Sequence, residues 1–198
     1  MTQRVHLERE RSVEGDVAVV VIDNPPINAG STEVRRGLLD AIEAVQRDDS
    51  IGATVLIGAG TTFIAGSDIR EFGQRLAEPQ LPAVIAAIEG CAKPFVAALH
   101  GAALGGGFEL ALGCDARVAA PGTVVGLPEV TLGIIPGAGG TQRLPRIVGL
   151  PRAIKMVCSG ERVPSAAALT AGLIDEEAVG DLRTAAVAHA RWRCLRPH

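Results

Sequence analysis

Residues Asp16 to Ile22 read DVAVVVI, the stretch that most constrains the fold. A continuous β-branched run of this length is a buried strand, and Asp23-Asn24-Pro25-Pro26 ends it in a stiff loop. Ile51 to Ile57, Phe95 to Leu99 and Ala116 to Ala120 repeat the strand signal. Ser31 and Thr32 offer N-caps to a helix whose apolar positions, Val34, Leu38, Ala41, Ile42 and Val45, keep the helical period. Asp68 opens a short helix through Phe72, Leu81 to Gly90 is apolar at helical spacing, and Phe108 to Leu112 reads as helical behind Gly105-Gly106-Gly107. Val124 to Gly126 is followed by a Pro128-Glu129 turn and a second glycine-rich loop, Pro136 to Gly140. Pro151 begins a helix ending near Gly160, Ser165 caps one ending at Gly172, and Asp181 starts the last. Alternating strands and helices define an α/β class, and paired strands ahead of a helix hint at a ββα repeat.

A length of 198 residues, 47% of them apolar, suits one domain or one domain with a short appendage. With a net charge of −3, the chain lacks the dense basic face that a nucleic-acid partner requires. The short basic stretches, Arg143 with Arg146 and Arg191 with Arg193 and Arg196, read as solvated faces. Cys91, Cys114, Cys158 and Cys194 are far apart and form no CxxC pair, so neither a metal site nor a disulfide framework is expected. Met1 to Arg11 is polar, and no apolar run is long enough to cross a bilayer. A cytoplasmic protein without nucleic-acid or membrane partners is the expectation.

The glycine loops invite a nucleotide-binding reading, which fails on spacing. Neither cluster ends in the Gly-Lys-Ser/Thr of a P-loop. Gly137 and Gly139 fit the first two positions of a dinucleotide fingerprint, but Gln142 stands at the third. Gly105 to Gly107, between a strand and a helix start, place unpaired N–H groups where a developing oxyanion could sit. The alternative is that these glycines only let a helix pack closely on a strand.

Four segments taken in order narrow the choice: Ala65-Gly66-Ser67-Asp68-Ile69, Gly101 through Leu110, Gly126-Leu127-Pro128-Glu129-Val130, and Pro136 through Thr141. Together they resemble the crotonase (enoyl-CoA hydratase/isomerase) superfamily from about Val17 to about Val179. Asn24-Pro25-Pro26-Ile27-Asn28-Ala29 and Val125 through Thr141 are most similar to the hydratase half of multifunctional β-oxidation enzymes. The resemblance implies a spiral of ββα units over residues 1–180. Residues 181–198 would then be a residual helix and tail, the usual C-terminal trimerisation helices being shortened or missing. It also implies assembly as trimers or hexamers, an acyl-CoA thioester as substrate, and no cofactor beyond the coenzyme A carried by that substrate.

By the same resemblance, the N–H groups of Ser67 and Gly106 form the oxyanion hole, Glu109 activates water, and Glu129 protonates C2. Most relatives have alanine or glycine at the Ser67 position, where only the amide is used. No Gly-x-Ser-x-Gly elbow marks Ser67 as a nucleophile. Gly137 would position the water or Glu129. Ile27, Ala29, Ala65, Gly66, Asp68, Ile69, Leu104, Gly105 and Pro128 would contact the substrate or its CoA. A structural salt bridge is the other reading of each glutamate. Asp68 reads as a cap fixing its loop, Arg70 as a phosphate partner or an ordinary surface arginine, and His100 as structural. Hydration, with some Δ3-Δ2 isomerisation, leads the functional readings. A different acyl-CoA reaction and a non-catalytic CoA-binding protein are the alternatives.

Overall fold

The computed structural model describes residues 3–13, 15–71, 73 and 77–195. Phe72, the expected end of the short helix, and residues 196–198 of the expected tail lie outside the described residues.

The DVAVVVI run is β2 (Asp16–Ile22), and its burial explains its composition. Ala18, Val20 and Ile22 point into one core, while Val17, Val19 and Val21 point into another on the opposite face. A strand covered on both sides has no polar alternation. Antiparallel to it runs β1 (Val5–Glu10), which the sequence reading passed over as a polar N-terminus. Its mixed pattern suits an edge strand. Parallel strands β3 (Ile51–Gly58), β4 (Phe95–Leu99) and β6 (Ala116–Ala119) continue the sheet, and β9 (Glu176–Glu177) ends it. The order among the described residues is β1-β2-β3-β4-β6-β9.

A second, three-stranded layer holds β5 (Ala102–Leu104), β7 (Val124–Gly126) and β8 (Val163–Pro164). Ile64 extends it through a bridge to Ala103. Successive turns of chain therefore visit the long sheet, then the short layer, then a helix. β4 and β5 lead into α3 (Gly106–Leu112), and β6 and β7 lead toward α4 (Gly140–Val148). This is the ββα repeat at work.

Helix α1 (Thr32–Arg47) buries Val34, Leu38, Ala41, Ile42 and Val45 as its period requires. Ser31 caps it, accepting the Val34 N–H at 3.4 Å, whereas Thr32 donates to Glu71 instead. Helix α2 (Leu81–Glu89) packs Val84, Ile85 and Ile88 into the first core. The short helix expected after Asp68 is a 3₁₀ turn, Ile69–Glu71, and the Pro128-Glu129 turn continues as a second, Glu129–Leu132.

Helix α4 was not expected, because Pro145 inside it and the glycines before it hide the pattern. Helix α5 (Leu150–Ser159) follows directly. In α6 (Ser165–Thr170), Pro164 rather than Ser165 occupies the cap position, and the Ser165 hydroxyl accepts the Gly122 N–H. Asp181 caps α7 (Leu182–Cys194) by accepting the Thr184 N–H at 2.8 Å. Ala186, Val187 and Ala190 of α7 roof the second core against Val17, Val55 and Val96, and Arg183 pairs with Glu8 and Glu10 of β1. All four cysteines are free. Among the described residues, no cluster of ligating side chains could hold a metal, and no helix is long and apolar enough to cross a membrane.

Candidate active site

The site grows from two peptide units. Gly105 donates to the Gly126 carbonyl at 2.9 Å and its own carbonyl accepts the Glu109 N–H at 2.9 Å, which sets the start of α3. In a trans peptide, N–H and C=O point in opposite directions, so the Gly106 N–H faces out of the helix end. The same logic applies at Gly66, whose carbonyl accepts the Gly30 N–H at 3.0 Å. The Ser67 N–H therefore points away from Gly30. A Cβ built on Gly106 would stand 4.0 Å from Ser67 N, so the two amides are close neighbours.

Gly66, Ser67, Asp68 and Gly106 line a cavity of about 370 Å³. Its apolar wall is Val34, Leu38, Ile64, Leu81, Leu110 and Ile134, and Arg35 and Glu71 contribute the charged part. None of these residues was singled out in the sequence as a cavity wall; helical period places Val34 and Leu38 on the buried face of α1, but nothing marks that face as a pocket. Neither Glu109 nor Glu129 borders this cavity. Glu129 meets the glycine strip one residue back, where a Cβ on Gly105 would come within 3.1 Å of its Oε1. Gly105 has φ 53° and ψ −129°, a conformation that only glycine adopts without strain.

Glu109 is buried in the first turn of α3, 2% exposed. Its Oε1 accepts the N–H groups of Ala138 and Gly140, both at 2.8 Å. Burial raises its pKa above the usual carboxylate value, and the Gly140 and Ala138 amides, the Arg143 charge and the Gly137 amide oppose that. Gly137 thus faces Glu109. Neither Ala138 nor Gly140 was singled out in the sequence, since a backbone contact leaves no side-chain signature. Arg143, read as a solvated charge, is tied to Glu89 by two bonds of 2.7 Å and to the Ala138 carbonyl at 3.0 Å.

Glu129 is also buried, at 8% exposure, and its Oε2 has no hydrogen-bond partner. Burial pushes its pKa up to about 7, with the nearby Glu109 charge adding to the rise. The pair is therefore unequal. Two backbone donors on Glu109 favour its carboxylate, whereas at Glu129 burial, opposed only by its own backbone N–H, favours the protonated form.

The remaining predicted residues form the frame. Asn28, at φ 52°, donates from Nδ2 to the Ala59 and Thr62 carbonyls at 2.8 Å each, and Asn24 Nδ2 donates to the Ala29 carbonyl at 2.7 Å. Ala65 N–H donates to the Ile27 carbonyl, so the loop at 24–31 lies along the strip that leads to Ser67. Leu104 N–H donates to the Ile64 carbonyl. The carboxylate of Asp68 accepts the Arg70 N–H at 3.0 Å and pairs with its guanidinium at 2.6 Å, closing the 3₁₀ turn that includes Ile69. Pro128 precedes Glu129 as the cap of the second 3₁₀ turn. His100 lies apart, its pKa lowered by burial and its Nδ1 unpartnered.

Known proteins are similar to this chain in sequence and in fold. The sequence profile of the enoyl-CoA hydratase/isomerase family matches residues 12–191. A peroxisomal bifunctional enzyme of Danio rerio is 45% identical over 170 residues, covering 86% of this chain and 24% of that protein. A protein described as a probable enoyl-CoA hydratase of Bacillus subtilis is 42% identical over 178 residues, covering 82% of this chain and 66% of that protein. The chain thus spans about a quarter of the length of the peroxisomal relative. Among solved structures, an enoyl-CoA hydratase from Bacillus anthracis superposes with a TM-score of 0.87 at 32% identity, covering 96% of this chain and 76% of that one. An enoyl-CoA hydratase from Thermoplasma volcanium gives 0.86 at 30% identity, covering 99% and 79%. The fold is that of the crotonases, and the chain belongs to the enoyl-CoA hydratase/isomerase family.

Proposed function

We propose that this chain adds water across the C2=C3 bond of a 2-enoyl-CoA thioester, a step of fatty-acid β-oxidation. The observation that carries this reading is the unequal pair of buried carboxyls, Glu109 with two backbone donors and Glu129 with an unpartnered oxygen, flanking the Gly105–Gly106 strip. The thioester oxygen would accept the N–H groups of Ser67 and Gly106, which stabilise the charge that grows as the enolate forms. Glu109, ionised, takes a proton from water through Oε2 while the water oxygen bonds to C3. Glu129, protonated, delivers its proton to C2. The two carboxyls then exchange the proton and reset. The coenzyme A moiety would run along residues 65–69 and 27–29, held mainly by their backbone groups.

Isomerisation of a 3-enoyl thioester is the second reading, because Glu129 alone could carry a proton between C2 and C4. Its unpartnered Oε2 favours that activity as an accompaniment. Assembly into a homo-oligomer belongs to the same proposal, since Leu132, Ile135, Leu150 and Ile154 stand exposed. The free cysteines fit a reducing compartment such as the cytoplasm.

The test is loss of enone absorbance with crotonyl-CoA. Glu129→Gln and Glu109→Gln should each lower kcat by at least ~10²-fold, the scale of a positioned acid or base. Thioester binding should stay within about threefold, because those contacts come from backbone groups. Hydration by Glu129→Gln at the wild-type rate would remove the mechanism.

A further inference from the structure

Ser67 has a side chain that the amide-only role leaves unused, and its position is specific. A Cβ on Gly106 would lie 3.0 Å from Ser67 Oγ and 4.0 Å from Ser67 N. The hydroxyl thus sits on the same wall as both amides. Ser67 is exposed to the cavity it lines, and its hydroxyl makes no hydrogen bond among the described residues. In particular it does not accept the Gly106 N–H, so it leaves that donor free rather than quenching it. Glycine at 106 is what makes room, since a methyl there would crowd both the hydroxyl and Leu81 Cδ2 at 2.9 Å.

We propose that the Ser67 hydroxyl is a third donor of the oxyanion site, added to the amides of Ser67 and Gly106. The inference rests on the reading that this site polarises an acyl thioester. A neutral thioester carbonyl offers two lone pairs, which two amides already engage. The enolate oxygen carries a full charge and room for a third donor, and a hydroxyl can rotate to meet it. An interaction that strengthens as charge develops raises kcat more than it improves binding. A nucleophilic role for the same hydroxyl lacks its base: among the described residues no histidine or lysine bonds to it, and the neighbouring Asp68 carboxylate is occupied by Arg70.

The experiment compares wild type, Ser67→Ala and Ser67→Thr in two readouts. One is turnover of crotonyl-CoA; the other is the absorbance of bound 4-(dimethylamino)cinnamoyl-CoA, whose band moves to longer wavelength as its carbonyl is polarised. Ser67→Ala should lower kcat about tenfold, less than the ~10²–10³-fold loss known for a single oxyanion-hole donor, because two amides remain. Its KM should stay within about threefold and its bound chromophore should show a smaller red shift. Ser67→Thr, which keeps the hydroxyl, should recover most of both. An alanine variant with the wild-type kcat and red shift would overturn the proposal while leaving the thioester reading standing. A wild-type protein that binds the chromophore with no red shift would overturn both.

Discussion

Glutamine at position 129 should change how the stability of the protein depends on pH. In the folded chain the Glu129 carboxyl is pushed up to about 7 by burial and by the Glu109 charge, from an ordinary value of 4.5. Between those values the folded state holds a proton that the unfolded chain releases. Stability therefore falls as pH rises: the contribution is fully present below 4.5 and is lost as pH passes 7. A displacement from 4.5 to 7 is about 2.5 pH units, and at about 1.36 kcal/mol each this gives a ceiling of about 3 kcal/mol. Water entering the site lowers that to about 2 kcal/mol. Urea denaturation at pH 5, 6, 7 and 8 measures it, and at a typical slope of ~2 kcal/mol/M the wild-type midpoint should drop by about 1 M from this carboxyl. Glutamine has the same shape and no charge at any of these pH values. Its unpaired amide adds only a constant offset, so the midpoint of Glu129→Gln should vary by about 1 M less over the range than that of wild type. Parallel curves for the two proteins would show that Glu129 titrates normally, and the acid role assigned to it would fall.

Two further substitutions probe the scaffold. Gly105→Ala forces a side chain into a glycine-only conformation and against Glu129 Oε1; it should cost about 1–3 kcal/mol in denaturation and lower turnover at least tenfold. Arg35→Met removes a buried guanidinium that donates to the Gly30 and Pro79 carbonyls and pairs with Glu71 at 2.9 Å. Because Glu71 is about a third exposed, the expected loss is about 2–3 kcal/mol, below the ~3–5 kcal/mol of a fully buried pair, and a thermal or urea melt would report it.

The parts of this fold that the sequence announces are those decided by apolar pattern. Strands β2, β3 and β4 are buried on both faces and must be written as continuous apolar runs, so they are visible at once. Strand β1 is half exposed at the sheet edge, and its HLERE alternation looks like an ordinary polar terminus. Helix α4 hides behind Pro145 and a glycine loop, and tertiary packing of Leu144 outweighs the local signals against it. The site divides in the same way. Glu109, Glu129, Ser67 and Gly106 stand out through motif order, but the partners of Glu109 are backbone amides, and any residue at 138 or 140 carries one. The guanidinium of Arg35 at the cavity wall is equally silent in sequence, because it serves carbonyls brought from residues 30 and 79 by the fold.

The two amides on Glu109 Oε1 also decide which oxygen of that carboxylate is basic. An oxygen that already accepts two hydrogen bonds of 2.8 Å holds its electron density less freely, so a proton arriving at Glu109 is directed to Oε2. Once protonated there, the group keeps a carbonyl-like Oε1 that still accepts from Ala138 and Gly140. Under the proposed mechanism, the join between α3 and the start of α4 would therefore stay tied through every protonation state of the cycle. The carboxylate would then behave as a hinge pin with one free end: half of it belongs to the architecture, and the proposed proton traffic is left to the other half.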